Sequence, residues 1–171
     1  MSQSATLYRI TKEDFDKIVE QQDNLDSVDT KAIYETFAGT HEGLKFVLSK
    51  FGNDELIEQI FYPKTFIGNE VDYNNMDDEA FESLSRRVYY LNPEIIIEIE
   101  TFLNKIEVDN FRKRFDPDEL NKEDIYPWQW TNNKEDNAAY NEKHIIQDFE
   151  KLKSIFETSK LNQDYILSYV G

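Results

Sequence analysis

VYYLNPEIIIEIETFLNKI, residues 88–106, is the stretch on which the fold turns. Its opening, Val88 to Leu91, is β-branched, aromatic and aliphatic and reads as a strand. The isoleucines that follow fit two patterns. Ile95, Ile97 and Ile99 alternate as in a strand, whereas Ile95, Ile96, Ile99, Phe102, Leu103 and Ile106 keep the helical period over a longer window. Asn92-Pro93 decides between them: asparagine caps a helix, and proline fits the first helical position, where no N–H is needed. The stretch therefore predicts a strand running directly into a helix.

The same alternation extends outward. Toward the N-terminus, Ala5 to Ile10 reads as a strand with Leu7 inward. Thr11, with Asp14 three residues on, caps a helix to about Gln22 whose apolar stripe is Phe15, Ile18 and Val19. Asp23 to Asp29 is polar and loop-like. From Thr30 to Lys50, the spacing of Ile33, Phe37, Leu44, Val47 and Leu48 predicts two helices, or one helix broken near Gly39 and Gly43. A short helix over Asn53 to Phe61, a strand over Thr65 to Val71 and a helix from Asp77 to about Arg87 follow. Acids open that last helix and Arg86 and Arg87 close it, as the helix dipole prefers. Toward the C-terminus, Asp116-Pro117 repeats the cap-then-proline signal, and Tyr126 to Trp130 is an aromatic loop. Ala138 to Ser159 is the clearest helix, with Ile145, Phe149, Leu152 and Phe156 on one face. Asp164 to Val170 is apolar on both faces and reads as a central strand. The expected fold is α/β (mixed α+β), one domain over residues 1–171, with a small mixed sheet of about four strands covered by six or more helices.

Composition narrows the function. With 12 Phe and 10 Tyr in 171 residues, the chain has enough large side chains for a core without disulfides or a thiolate–zinc site, and it has no cysteine to make either. The N-terminus lacks the basic start and apolar run of a signal peptide, and no run approaches a membrane span, so a soluble cytoplasmic protein is expected. The net charge of −16 repels phosphate backbones and anionic membranes, which argues against nucleic-acid or membrane partners. It favours encounter with a basic protein partner.

The motifs of common chemistries are missing. No glycine is followed by lysine and none pair as G-x-G, which removes the P-loop and the dinucleotide fingerprint; no serine sits in G-x-S-x-G. His41-Glu42 opens like a zinc-protease helix, but Lys45 stands where the second histidine is needed. DYNNMDDE, residues 72–79, lacks the turn glycine of a calcium loop and has Met76 at a ligand position. The sequence thus calls for no metal and no cofactor. Of its two imidazoles, His144 reads as structural, and His41, beside the helix break, is the better site candidate.

The unusual segment is FRKRFDPDELNKEDIYPWQW, residues 111–130. A basic cluster, Arg112, Lys113 and Arg114, precedes Asp116 and then Tyr126, Trp128 and Trp130. Tyrosine, tryptophan and arginine are the residues that anchor interfaces. The candidate binding surface or pocket is therefore Arg112, Arg114, Asp116, Tyr126, Trp128 and Trp130, with His41. The same residues also suit a core plug flanked by local ion pairs.

Phe115-Asp116-Pro117, Ile125-Tyr126-Pro127 and Trp130 resemble the signature of the YfbM-like family, small bacterial domains of unknown function. The segments Tyr8 to Phe15, Gly43-Leu44 with Phe46 and Leu48, and the closing helix and strand fall in that family's order. The resemblance implies helices packed around a small sheet and brings no reaction with it. It also implies Trp-His before the glycine and a histidine two residues after; here those positions hold His41, Glu42 and Lys45. Two functions are expected on these grounds. The first is a non-catalytic, immunity-like module that binds a basic partner. The alternative is a small anionic-ligand binder or carboxylate-dependent hydrolase, with Arg112 or Arg114 holding the anion.

Overall fold

Alternating apolar side chains drive five segments to pair edge to edge. The computed structural model describes residues 3–20, 33–70, 74, 77–85, 87–135 and 138–171. The strands are β1 (Ser4–Ile10), β2 (Ile33–Ala38), β3 (Thr65–Ile67), β4 (Val88–Leu91) and β5 (Tyr165–Val170), in the order β2-β1-β5-β4-β3. Every ladder is antiparallel. Eight helices lie among the described residues: α1 (Lys12–Glu20), α2 (His41–Ser49), α3 (Asp54–Phe61), α4 (Asp78–Ser85), α5 (Pro93–Asn104), α6 (Val108–Arg114), α7 (Pro117–Lys122) and α8 (Glu142–Asn162).

The mixed α+β class stands, with differences of detail. The sheet has five strands, and it is antiparallel rather than mixed. The extra strand, β2, occupies the first half of the stretch whose spacing predicts helix. It is an edge strand with only Phe37 buried, while Ile33 is 54% and Tyr34 57% exposed. One inward position is too few to show the period-2 pattern. Gly39, at φ +74°, turns the chain into α2. Strand β3 stops at Ile67, short of the expected Val71, which lies outside the described residues. The end of α1 near Gln22, the loop over 23–29, half of the 72–79 stretch and Arg86 also lie outside them. Helix α8 begins at Glu142, because the Asn141 side chain accepts from the His144 N–H at 2.9 Å and caps it there. The basic cluster lies on helix α6, which is only seven residues long and buries Phe111 alone.

One sheet face turns Ala5, Leu7, Phe37, Leu91 and Ile166 into the large core built by α2, α3, α5, α6 and α8. Phe111 of α6 stacks on Phe149 of α8 there, ring centroids 4.1 Å apart. The other face buries Ile10, Ile67, Val88 and Leu167 under Phe15 and Ile18 of α1. Strand β5 is central, as expected, and its Ile166 and Leu167 are both fully buried on opposite faces. Side chains of this size contribute about 1.5–3 kcal/mol each on full burial.

Both proline-marked caps form. Asn92 accepts from the Ile95 N–H at 3.0 Å, and Asp116 accepts from Asp118 N at 3.0 Å and Glu119 N at 3.2 Å. Asn92→Ala should therefore lower stability by about 1 kcal/mol, read as a lower urea midpoint with an unchanged slope.

Candidate functional site

The aromatic loop after α7 splits its two tryptophans. Trp130 is 4% exposed. Its indole N–H donates to the Ile125 carbonyl at 3.0 Å, and Asn121 clasps its backbone, accepting from Trp130 N at 3.0 Å and donating to its carbonyl at 2.8 Å. Phe115 and Tyr140 meet the ring edge to face. The indole packs its Cζ2–Cη2 edge against the one helical residue that has no side chain: a Cβ built at Gly43 would overlap Cη2 and Cζ2 of Trp130. This contact ties Gly43, Phe115 and the Ile125 to Trp130 segment into one unit, the same residues on which the family resemblance rests.

Trp128 faces the other way. It is 60% exposed, on a backbone with φ +63°. Its indole N–H donates to the Asp124 carbonyl at 2.9 Å, its backbone N–H donates to Ile125 at 3.1 Å, and Tyr126 meets its ring edge to face at 5.0 Å. The Tyr126 hydroxyl in turn accepts from Gln3 N at 3.0 Å. Trp128 is thus an exposed ring on a hydrogen-bonded mount.

The other sequence candidates do not converge on it. Arg112 pairs with Asp109 and, at 3.6 Å, with Glu142. Arg114 is exposed, its guanidinium 6.0 Å over Phe51 and its carbonyl accepting from Lys50. Asp116 serves as the cap of α7. Among the described residues, no hydrogen bond or ion pair joins either arginine to Asp116, Tyr126 or Trp128. His144 accepts from Tyr140 N at 3.1 Å, and its Nε2 lies 3.7 Å from Asp148.

His41 is fully buried at the start of α2, edge to face with Phe61. Neither ring nitrogen has a hydrogen bond, and Nε2 stands 3.5 Å from the Glu42 carboxylate. Burial pushes its pKa down, the Glu42 charge opposes this, Lys45 adds to it and the Phe37 backbone works against it, so the ring is neutral near pH 7.

A concave feature between two helices carries no signal in the sequence. Between α2 and α3 an open groove of about 270 Å³ is lined by Glu42, Lys45, Phe46 and Ser49 on one side, Asp54, Ile57 and Glu58 on the other, and Ile125 at its end. The Lys45 ammonium lies 2.8 Å from Glu58, 3.4 Å from Glu42 and 4.3 Å over the ring of Tyr62. Tyr62 donates to Glu42 at 2.7 Å. Its hydroxyl is held far above its ordinary pKa, by burial first and then by that bond, and stays protonated. The i,i+3 spacing of Glu42 and Lys45 is equally common on plain solvated helices. Among the described residues, no group of three His, Cys, Asp or Glu side chains could hold a metal ion, and no helix is long and apolar enough to cross a membrane.

Residues 1–169 match DUF1877, a domain of unknown function. The crystal structure of YfbM from Escherichia coli, a protein of unknown function, is similar over 100% of both chains with a TM-score of 0.65 and 16% sequence identity, a likeness of fold. No curated protein matches the sequence.

Two outcomes follow from this geometry. Gly43→Ala should destabilise the protein by about 3 kcal/mol, because the methyl must displace a locked indole, and an unchanged melting point would contradict the contact. The neutral His41 contributes stability that is full above its ordinary pKa of 6.5 and is lost as pH falls below that value, where the unfolded chain takes up a proton and the folded chain resists. His41→Leu should flatten the stability curve between about pH 6.5 and 5.

Proposed function

The chain belongs to the DUF1877 family, and we propose that it works as a non-catalytic, immunity-like binding module that presents Trp128 from an acidic surface to a basic protein partner. The observation that carries this reading is Trp128 itself, 60% exposed yet fixed through its indole N–H, its backbone N–H and the Tyr126 ring. Tryptophan is the commonest interface anchor, and a ring already ordered loses little entropy on binding. The sign of the partner follows from the whole chain's net charge of −16; beside Trp128, exposed Asp116, Asp118, Glu123 and Asp124 are mixed with exposed Lys122 and the basic cluster of α6. Such a field speeds encounter with a cationic surface and repels anionic ones.

The anion-binding alternative has less support. Arg112 is engaged by two carboxylates, Arg114 stands exposed over the Phe51 ring, and the groove between α2 and α3 carries three acids against one lysine.

The test is native mass spectrometry of the full chain purified from its own cells, followed by affinity measurement with the partner recovered. A basic protein should co-purify, and Trp128→Ala should weaken it at least about 30-fold, the effect of a 2 kcal/mol hot spot, without lowering the melting temperature. Rising salt should slow association. Full affinity in Trp128→Ala would remove this surface from the reading.

A further inference from the structure

Strand β2 ends the sheet, and among the described residues it pairs only with β1. The ladder shows which of its backbone groups are left over. Gly39 N donates to the Gln3 carbonyl at 3.0 Å, and Ser4 exchanges both backbone hydrogen bonds with Gly171, at 2.6 and 3.0 Å. Bonding in an antiparallel pair alternates residue by residue, so odd-numbered residues of β1 bond to β2 and even-numbered ones to β5. Ala5 stands opposite Phe37, Leu7 opposite Glu35 and Arg9 opposite Ile33. Those three β2 residues therefore turn their N–H and C=O toward β1. Tyr34, Thr36 and Ala38 turn theirs outward, and all three are exposed. Among the described residues, nothing bonds to these outward backbone groups.

A row of free N–H and C=O groups templates another strand, and edges are commonly blunted by proline, lysine or a bulge. The β2 segment IYETFA has no proline and no cation, and its register with β1 is unbroken over all six residues. Its side chains describe what would fit beside it. On one face Tyr34 lies 5.4 Å from Tyr8, and the Thr6 and Thr36 hydroxyls are 3.0 Å apart, so an added strand would continue a ladder of cross-strand pairs. On the other face Glu35, half-buried, has no ion-pair partner among the described residues. A cation opposite it on the added strand is the complement. A second copy cannot supply one in any register, because β2 holds no cation, and two chains of net charge −16 repel. The edge also leads to the Trp128 turn: Gln3, whose carbonyl accepts from Gly39, gives its own N–H to the Tyr126 hydroxyl, and Tyr126 meets the Trp128 ring.

We propose that the free edge of β2 takes an added strand from the basic protein partner, an extended segment that pairs with the backbone of Tyr34, Thr36 and Ala38 and sets a lysine or arginine opposite Glu35. Main-chain bonds of this kind supply affinity, and alternate side chains supply specificity. The sign of the partner rests on the function proposed above; the strand-accepting edge does not.

NMR of isotope-labelled full-length protein, titrated with an acetylated and amidated hexapeptide of alternating valine and lysine, tests this. Saturable binding should shift the amides of Tyr34, Thr36 and Ala38 and slow their exchange with solvent. The same peptide N-methylated at every residue keeps its charge but has no N–H to donate, and it should not bind. Thr36→Pro removes one outward N–H at a place where an edge strand tolerates proline, and should weaken binding about tenfold. The methylated peptide tests the backbone pairing even where that variant folds poorly. Glu35→Gln should weaken binding about threefold, the effect of one exposed charge pair. No binding of the parent peptide, equal binding of the methylated one, or shifts that spare β2 would overturn the proposal. A free protein of twice the chain mass with the Tyr34 and Thr36 amides already protected would also overturn it, by giving the edge to a second copy. Trp128→Ala should leave hexapeptide binding intact, so failure here and failure of the Trp128 reading are separate results.

Discussion

The contact between the Trp130 indole and the bare backbone of Gly43 is the constraint from which the functional half of the molecule follows. A ring edge packed against a helix demands a residue without Cβ beneath it, and Gly43 is that residue in α2. Once the ring is seated, its N–H finds the Ile125 carbonyl and Asn121 closes the loop behind it. That single docking fixes three things together. It sets how closely the aromatic loop approaches α2, it brings Ile125 to the end of the groove, and it leaves Trp128 on the outer side of a turn whose inner side is already filled.

Charge is handled by burial class. Buried ions are paired: Glu100 with Lys160, Asp164 with Arg9 at 3.1 Å, and Asp148 with Lys151 at 2.8 Å while it also accepts from the Thr40 hydroxyl. Such pairs specify an arrangement more than they stabilise it, since each ion gives up water to enter the core. The surplus of acids is left at the surface, where it costs little and sets the sign of the long-range field. His41 departs from the pattern by staying neutral in the core, 3.5 Å from the Glu42 carboxylate.

What could be read in the sequence was whatever is decided locally. Asn92 and Asp116 cap the helices their prolines announce, and the long apolar period of residues 95–106 outweighs its short alternation. Strand β5 was recognisable as central because neither face is polar. Strand β2 was not recognisable, because an edge strand with Phe37 as its one buried side chain carries almost no pattern, and Ile33 and Phe37 happen to sit four residues apart. The seven candidate site residues were found by composition, and composition cannot tell a displayed tryptophan from a buried one. Trp128 and Trp130 differ only in which neighbour receives the ring. The groove was invisible for a related reason: residues between 42 and 125 meet there only after α2, α3 and the aromatic loop have packed.

The division between the two tryptophans is the claim on which both the docking contact and the proposed surface rest, and fluorescence quenching tests it most directly. The chain has only these two, so Trp128→Phe leaves Trp130 as the single emitter. This variant should emit at short wavelength and resist quenching by acrylamide, whereas Trp130→Phe should emit at long wavelength and be quenched freely. Equal quenching of the two variants would contradict that claim, and with it the separation of anchor from displayed ring.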